Sequence, residues 1–103
     1  MAQDNAFIGT ELKYTVNITA AGFSMEDDDF EIDIVRGSNR IHFDKTDLPQ
    51  DLNGHFYVCF GTTELGTGVV KAIITAHVPD SDFDDGIRDE VVSFDLVNIR
   101  SAK

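Results

Sequence analysis

Hydrophobic and polar residues alternate along most of this chain, and short acidic or glycine-containing turns separate the alternating segments. In the first such segment, residues 10–18, apolar positions alternate with Lys13, Thr15 and Asn17. Because successive side chains of a strand point to opposite faces, this pattern predicts a strand with one apolar face. No stretch has the spacing of an amphipathic helix, so the chain is predicted to be all-β.

The same alternation recurs in five later segments, which we predict to be strands: 30–35, 41–44, 56–60, 69–78 and 92–97. Gly37-Ser38-Asn39 is typical of a hairpin, so the strands on either side of it should pair antiparallel. Pro49 and Asn53-Gly54 indicate a longer loop that suits a change of sheet. The fold predicted from these signals is an immunoglobulin-like antiparallel β-sandwich of about seven strands.

A chain of 103 residues, 42% of them hydrophobic, is long enough for one domain with one core. We place the single sandwich domain at 9–103 and an N-terminal arm at 1–8. The arm begins polar and ends in Phe7 and Ile8, so we expect it to become ordered on a neighbouring protein. The alternation predicts that five residues are buried between the sheets: Val58, Phe60, Ile74, Phe94 and Leu96.

The net charge of −11, from 19 acidic and 8 basic residues, repels phosphate groups. Nucleic acid and anionic membranes are therefore not expected as partners. The N-terminus has neither a basic nor an apolar signal region, which favours a protein made and assembled in the cytoplasm. The single cysteine, Cys59, lies in an apolar run and is predicted to be a small buried hydrophobe.

Asp80, Asp82 and Asp84 alternate along an acidic segment that we expect to be a loop over 80–90, and alternating carboxylates are typical calcium ligands. The match to a calcium-binding EF-hand loop is poor. The glycine falls one residue late, at Gly86, and Val91 occupies the position of the bidentate glutamate. A solvated turn is the favoured interpretation, and we predict no tight calcium binding.

Other candidate chemistry is sparse. The three histidines, His42, His55 and His77, lie on or beside different predicted strands and lack the spacing of a zinc site. No nucleophile elbow, phosphate loop or dinucleotide motif is present, so we expect neither catalysis nor a cofactor. Arg36 and Arg40 flank the hairpin turn and could present a small basic tip to an acidic partner; two solvated arginines are the favoured alternative.

The half-chain from Gly61 carries a family resemblance. A glycine-containing turn (65–68), a long strand (69–78), Pro79, an acidic loop ending at Glu90 and a closing strand resemble the immunoglobulin-like modules of tailed-phage virion proteins. The pattern is similar to modules from phages that infect Bacteroides, including the crAss-like group, and to the N-terminal domain of baseplate upper proteins. Gly9-Thr10-Glu11-Leu12 before the first strand is also similar.

This resemblance implies a non-enzymatic phage structural protein located in the virion. A module that ends at Lys103 is expected to be an auxiliary, decoration or head-fibre-associated capsid protein. Its expected partners are the major capsid protein or other virion proteins, with several copies on the particle. Three alternatives stay open: a tail or baseplate adaptor, a free-standing calcium- or carbohydrate-binding sandwich, and a hydrolase whose site is assembled across strands.

Overall fold

The fold is described by a computed structural model that covers residues 4–101. Two short helices, the 3₁₀ helix Lys45–Asp47 and α1 (Thr62–Leu65), interrupt an otherwise all-β chain. The strands are β1 (Asp4–Phe7), β2 (Glu11–Val16), β3 (Phe30–Arg36), β4 (Asn39–Asp44), β5 (Phe56–Gly61), β6 (Gly68–Pro79) and β7 (Ile87–Arg100). Their number and arrangement confirm the predicted β-sandwich.

The strands form two sheets of unequal width. The larger sheet has five strands in the order β1-β7-β6-β3-β4, and the smaller sheet consists of β2 and β5. β6 is the long central strand that its alternation predicts, and β3 and β4 form the predicted antiparallel hairpin. The loop after β4 carries the chain to the other sheet, as expected. β1 pairs with β7 in parallel, so the larger sheet is mixed although every other pairing is antiparallel.

The core lies where β5 faces β3. Phe30 on β3 meets Phe56 on β5 edge to face, with ring centroids 5.4 Å apart and an interplanar angle of 88°. Ile32 and Ile34 on β3 are also buried, as is Val58 on β5. These residues occupy alternate positions on their strands, so each strand contributes one apolar face to the core.

The described part of the predicted N-terminal arm belongs to the larger sheet and does not stand apart from it. Residues 4–7 form β1, and the amide of Ile8 donates a hydrogen bond to the Arg100 carbonyl oxygen (2.8 Å). Ala6 and Ile8 pack against the core. β7 therefore supplies the backbone partners that we expected a neighbouring protein to supply. Residues 1–3 lie outside the described part of the chain.

The predicted acidic loop is shorter than 80–90, because β7 already begins at Ile87. Within the turn, the Asp80 amide donates to the Gly86 carbonyl oxygen (2.8 Å), and Gly86 has a φ of 76° that suits glycine. Two of the aspartates accept hydrogen bonds from backbone amides of this turn. Asp80 accepts a hydrogen bond from the Asp82 amide, and Asp85 accepts one from the Ile87 amide.

Two burial predictions need correction. Val58 and Phe60 are buried, and Ile74 and Leu96 are partly buried against the core, but Phe94 is 45% exposed. Phe94 does lie on the inner face of its strand, yet neither described strand of the smaller sheet covers it. Cys59 is exposed because it lies on the outer face of β5, where the described part of the chain adds no further layer.

Candidate functional site

An open cleft lies between the two sheets, on the side of β2 away from β5. Residues 14–20 form one wall, and the inner faces of β6 and β7 form the floor through Ile74, Val92 and Phe94. Its volume is about 370 Å³, and it reaches between the sheets as far as Ile32 and Val58. The cleft therefore opens directly onto the hydrophobic core.

The cleft exists because the sheets differ in width. β2 pairs with β5 and with no other strand in the described part of the chain, so the smaller sheet ends before it covers β7. At the other end of β7 the inner face is covered again, and Val97 and Ile99 are almost fully buried. A bulge separates these two parts, because Val70 pairs with Val97 whereas Lys71 pairs with Asp95.

The floor of the cleft exposes large apolar side chains. Val92 is 55% exposed and Phe94 is 45% exposed, although both point to the side of the sheet that carries the core. Val91, next to Val92, is 60% exposed on the outer face. A single exposed valine on an outer face needs no explanation, whereas adjacent apolar residues in a concave site indicate a binding surface.

The wall of the cleft is formed by the end of β2, which is shorter than its alternation predicts, and by the coil after it. The alternation of β2 continues to Ile18, but strand pairing ends at Val16, opposite Phe56 at the start of β5. Residues 17–20 follow as coil beside the cleft. The first predicted strand, 10–18, is therefore longer than the strand in the structure because β5 offers it no partner beyond Phe56.

Charge is nearly absent from the cleft. Among the described residues that line it, Glu90 alone is charged, and it lies at the end of the floor next to Val92. Glu90 accepts a hydrogen bond from the Arg88 guanidinium (2.8 Å), which also binds Asp80. An occupant would meet an apolar surface with one carboxylate at its end.

The opposite face of the same sheet is charged and has two bridged histidines. His42 contacts Asp44 (2.9 Å) and Asp33 (2.6 Å), and these hydrogen bonds raise the pKa of His42 to about 9. His77 lies between two carboxylates on neighbouring strands, which raise its pKa in the same way. Its partners are Glu31 (2.9 Å) and Asp89 (2.7 Å). This face is stabilised by its own ion pairs.

The two arginines of the predicted basic tip do not form one. Arg36 turns back to α1, where its Nε donates to the Leu65 carbonyl oxygen (2.7 Å) and its guanidinium lies against Gly66. Arg40 is exposed and pairs with Asp33 (3.3 Å). Arg36 and Arg40 thus contact different parts of the fold.

The remaining predicted contact residues, Phe7 and Ile8, lie at the end of β1. Phe7 is 59% exposed, whereas Ile8 is partly buried against the core. Neither lines the cleft.

The calcium candidates are not gathered around one point. Asp80 is engaged by the Asp82 amide and by Arg88, which together lower the pKa of its carboxyl group. Asp82 and Asp84 are exposed. Between residues 4 and 101, no group of three or more histidine, cysteine or acidic side chains is arranged to hold a metal ion.

Sequence reasoning missed the cleft itself. The alternation predicts Ile74 and Phe94 of its floor to be core residues, together with Leu96, which also lines the cleft. Alternation gives the direction in which a side chain points and not the number of strands in the opposing sheet, so no sequence signal revealed the cleft.

No protein-family model, no curated protein and no solved structure matches this chain. None of the helices in the described residues is both long and apolar enough to span a membrane.

Proposed function

We propose that this protein is a non-enzymatic structural component that works by docking onto a partner protein through the cleft. One observation carries the proposal: Val92 and Phe94 are exposed on the inner face of the larger sheet, beside the edge of β2 that pairs with no strand in residues 4–101. A fold leaves such a surface uncovered at a cost in solubility, and interaction sites are where contiguous exposed apolar residues are found.

More specifically, we propose that the protein is an auxiliary or head-decoration protein of a tailed phage. The resemblance of the half-chain from Gly61 to phage virion modules supports it, and the β-sandwich architecture is compatible with it. The protein would assemble in the host cytoplasm and join the particle in several copies, with the major capsid protein or another virion protein as its partner. Its net charge of −11 would keep it from competing for packaged DNA.

An apolar protein segment suits this cleft better than a sugar does. Carbohydrate sites need several polar groups placed to bind hydroxyls, whereas the floor here consists of valine, isoleucine and phenylalanine with a single carboxylate, Glu90, at its end. The tail or baseplate adaptor remains the second placement within the same class, because a docking cleft would serve it equally well.

The experiment is to purify intact particles of the phage that encodes the chain on a density gradient, and then to quantify the protein by mass spectrometry. We expect it in the particle band in a fixed ratio to the major capsid protein. A host lysate mixed with empty gradient fractions controls for carry-over. If the protein stays at the top of the gradient while the capsid protein sediments, the virion proposal is wrong.

A further inference from the structure

We propose that the cleft accepts an extended strand from a partner protein, which pairs with the free edge of β2 and places apolar side chains over Val92 and Phe94. The proposal rests on the docking function above and names the kind of segment that docks. The occupant would complete the smaller sheet as its third strand, by the mode known as β-strand addition.

The geometry favours a strand over other shapes. Neighbouring strands lie about 4.8 Å apart within a sheet, and packed sheets lie about 10 Å apart. A strand added at the edge of β2 would therefore sit above β7, where no strand among residues 4–101 lies opposite Val92 and Phe94. The edge offers backbone hydrogen bonds and the floor offers apolar contacts, so one segment can use both at once.

The floor also dictates the pattern of that segment. Glu90, Val92 and Phe94 lie at successive inner-facing positions of β7. At about 3.3 Å per residue, a segment of roughly six or seven residues would span them. Its inward positions should be apolar opposite Val92 and Phe94, and a basic residue should stand opposite Glu90, the charged end of the floor.

A second copy of this chain fits poorly as the occupant. Each copy carries a net charge of −11 over its whole chain, so two copies would repel each other at long range even though the cleft itself is nearly uncharged. In addition, the larger sheet continues past β2 to β7 and β1, so the face of a folded copy would meet these strands before it reached the β2 edge. A slender extended arm or tail with basic residues meets neither obstacle.

The proposal has a consequence within the chain itself. Residues 17–20 are coil beside the cleft, although Ile18 continues the alternation of β2. The Ile18 amide now donates to the Met25 sulfur (3.3 Å), a weak acceptor, and a strand on the edge of β2 would offer this segment backbone acceptors in its place. We therefore expect β2 to lengthen through Ile18 when the cleft is occupied.

The first test uses two synthetic peptides, Lys-Thr-Val-Thr-Val-Thr-Val and its reverse, because the direction of the added strand is open. We expect one of them to bind saturably and to slow amide exchange in residues 14–20, measured by hydrogen–deuterium exchange. Two further peptides carry proline at the central threonine or at the valine after it. Because alternate amides of a strand point to the same neighbour, one of the two prolines removes a donor to β2, and that peptide should lose binding. Replacing the lysine by glutamate should weaken binding by about tenfold. If neither direction of the peptide protects residues 14–20, the strand proposal is overturned.

The second test uses two neighbouring valines as a matched pair. Val92→Asp places a charge in the cleft, whereas Val91→Asp places the same charge on the outer face of the same strand at nearly equal exposure. We expect Val92→Asp to weaken peptide binding by at least about tenfold and Val91→Asp to leave it unchanged. Thermal unfolding of both variants checks that they are folded. Equal weakening by the two substitutions would contradict the assignment of the cleft.

A third test separates a strand from a small apolar ligand. An environment-sensitive apolar dye should bind the wild-type protein and be displaced by the bound peptide. Dye binding that no peptide displaces would overturn the strand proposal and indicate a small-molecule site.

The two proposals fail in different ways. Copurification of both wild type and Val92→Asp with phage particles would leave the virion function standing and refute the cleft as the anchor. Peptide binding by a protein that is absent from particles would support the strand proposal and refute the virion function.

Discussion

The closed and open halves of this sandwich differ although they share one sheet and one central strand. Ile74 on β6 pairs with Ile32 on one side and with Val92 on the other. Ile32 is 2% exposed because β5 lies opposite, whereas Val92 is 55% exposed because none of the described strands lies opposite. Alternation within a strand therefore determines which way a side chain points, and the opposing layer determines whether it is buried.

The same contrast recurs one step along the sheet. Ala72 pairs with Ile34, which is buried, and with Phe94, which is not. A phenylalanine on an inner face is normally the largest contributor to a core. Here the ring is 45% exposed, so the two halves should respond differently to truncation.

The largest effect should come from the closed half. Phe30→Ala removes a ring that is 1% exposed and that contacts Phe56 and Phe23 edge to face. The lost contacts and the remaining cavity should lower the free energy of unfolding by about 3–5 kcal/mol. Urea denaturation followed by circular dichroism measures this. A loss below about 1 kcal/mol would show that the closed half is not the core.

A smaller effect should come from the same substitution in the open half. Phe94→Ala removes a ring that is nearly half exposed, so we expect a loss of about 1–2 kcal/mol from the free energy of unfolding. The same denaturation experiment provides the value. A loss equal to that of Phe30→Ala would mean that the cleft is closed in solution and would remove the contrast between the halves.

Much of the fold could be predicted from the sequence, because the signals for these strands lie within the strands and the turns that join them. The β3–β4 hairpin is specified by alternation on both sides of Gly37-Ser38-Asn39, and the central β6 by its length. β1 could not be predicted, because its four residues have little pattern and their partner, β7, lies at the other end of the chain. Short parallel edge strands depend on a distant partner more than on their own residues.

The candidate site was less predictable than the fold. The orientation of Arg36 depends on the Leu65 carbonyl oxygen, which is far along the chain, so a tip shared with Arg40 could not be excluded from spacing. The cleft depends on how many strands each sheet contains, and alternation carries no information on that number. Phe94 was assigned correctly to the inner face and incorrectly to the core for this reason.

A still smaller effect should come from polar substitution of the neighbouring valines. Val92→Thr and Val91→Thr keep the branched shape that suits a strand, and each side chain is more than half exposed. We expect both free energies of unfolding to change by no more than about 0.5 kcal/mol. Thermal or urea unfolding is sufficient to measure this. A large loss for Val92→Thr alone would indicate that the floor of the cleft is buried in the free protein.

A change of pH should have the smallest effect on stability. It should act on the charged outer face of the larger sheet and not on the cleft. Folding raises the pKa of His42 from 6.5 to about 9 through hydrogen bonds to Asp44 and Asp33. A raised pKa in the folded state means that the protonated imidazole stabilises the fold. This contribution is complete below about pH 6.5 and is lost as the pH rises through about 9.

Thermal unfolding at about pH 6 and about pH 10 tests this expectation, since the interval spans the free and the raised pKa of histidine. The melting temperature should fall with rising pH, and only slightly, because His42 is exposed to water. His42→Gln keeps a polar side chain that does not titrate, so its melting temperature should fall less over the same interval. Val91→Thr, on the same face and without a titrating group, is the matched control and should follow the wild type. An unchanged pH response in His42→Gln would show that the pairs of His42 with Asp33 and Asp44 contribute nothing to stability.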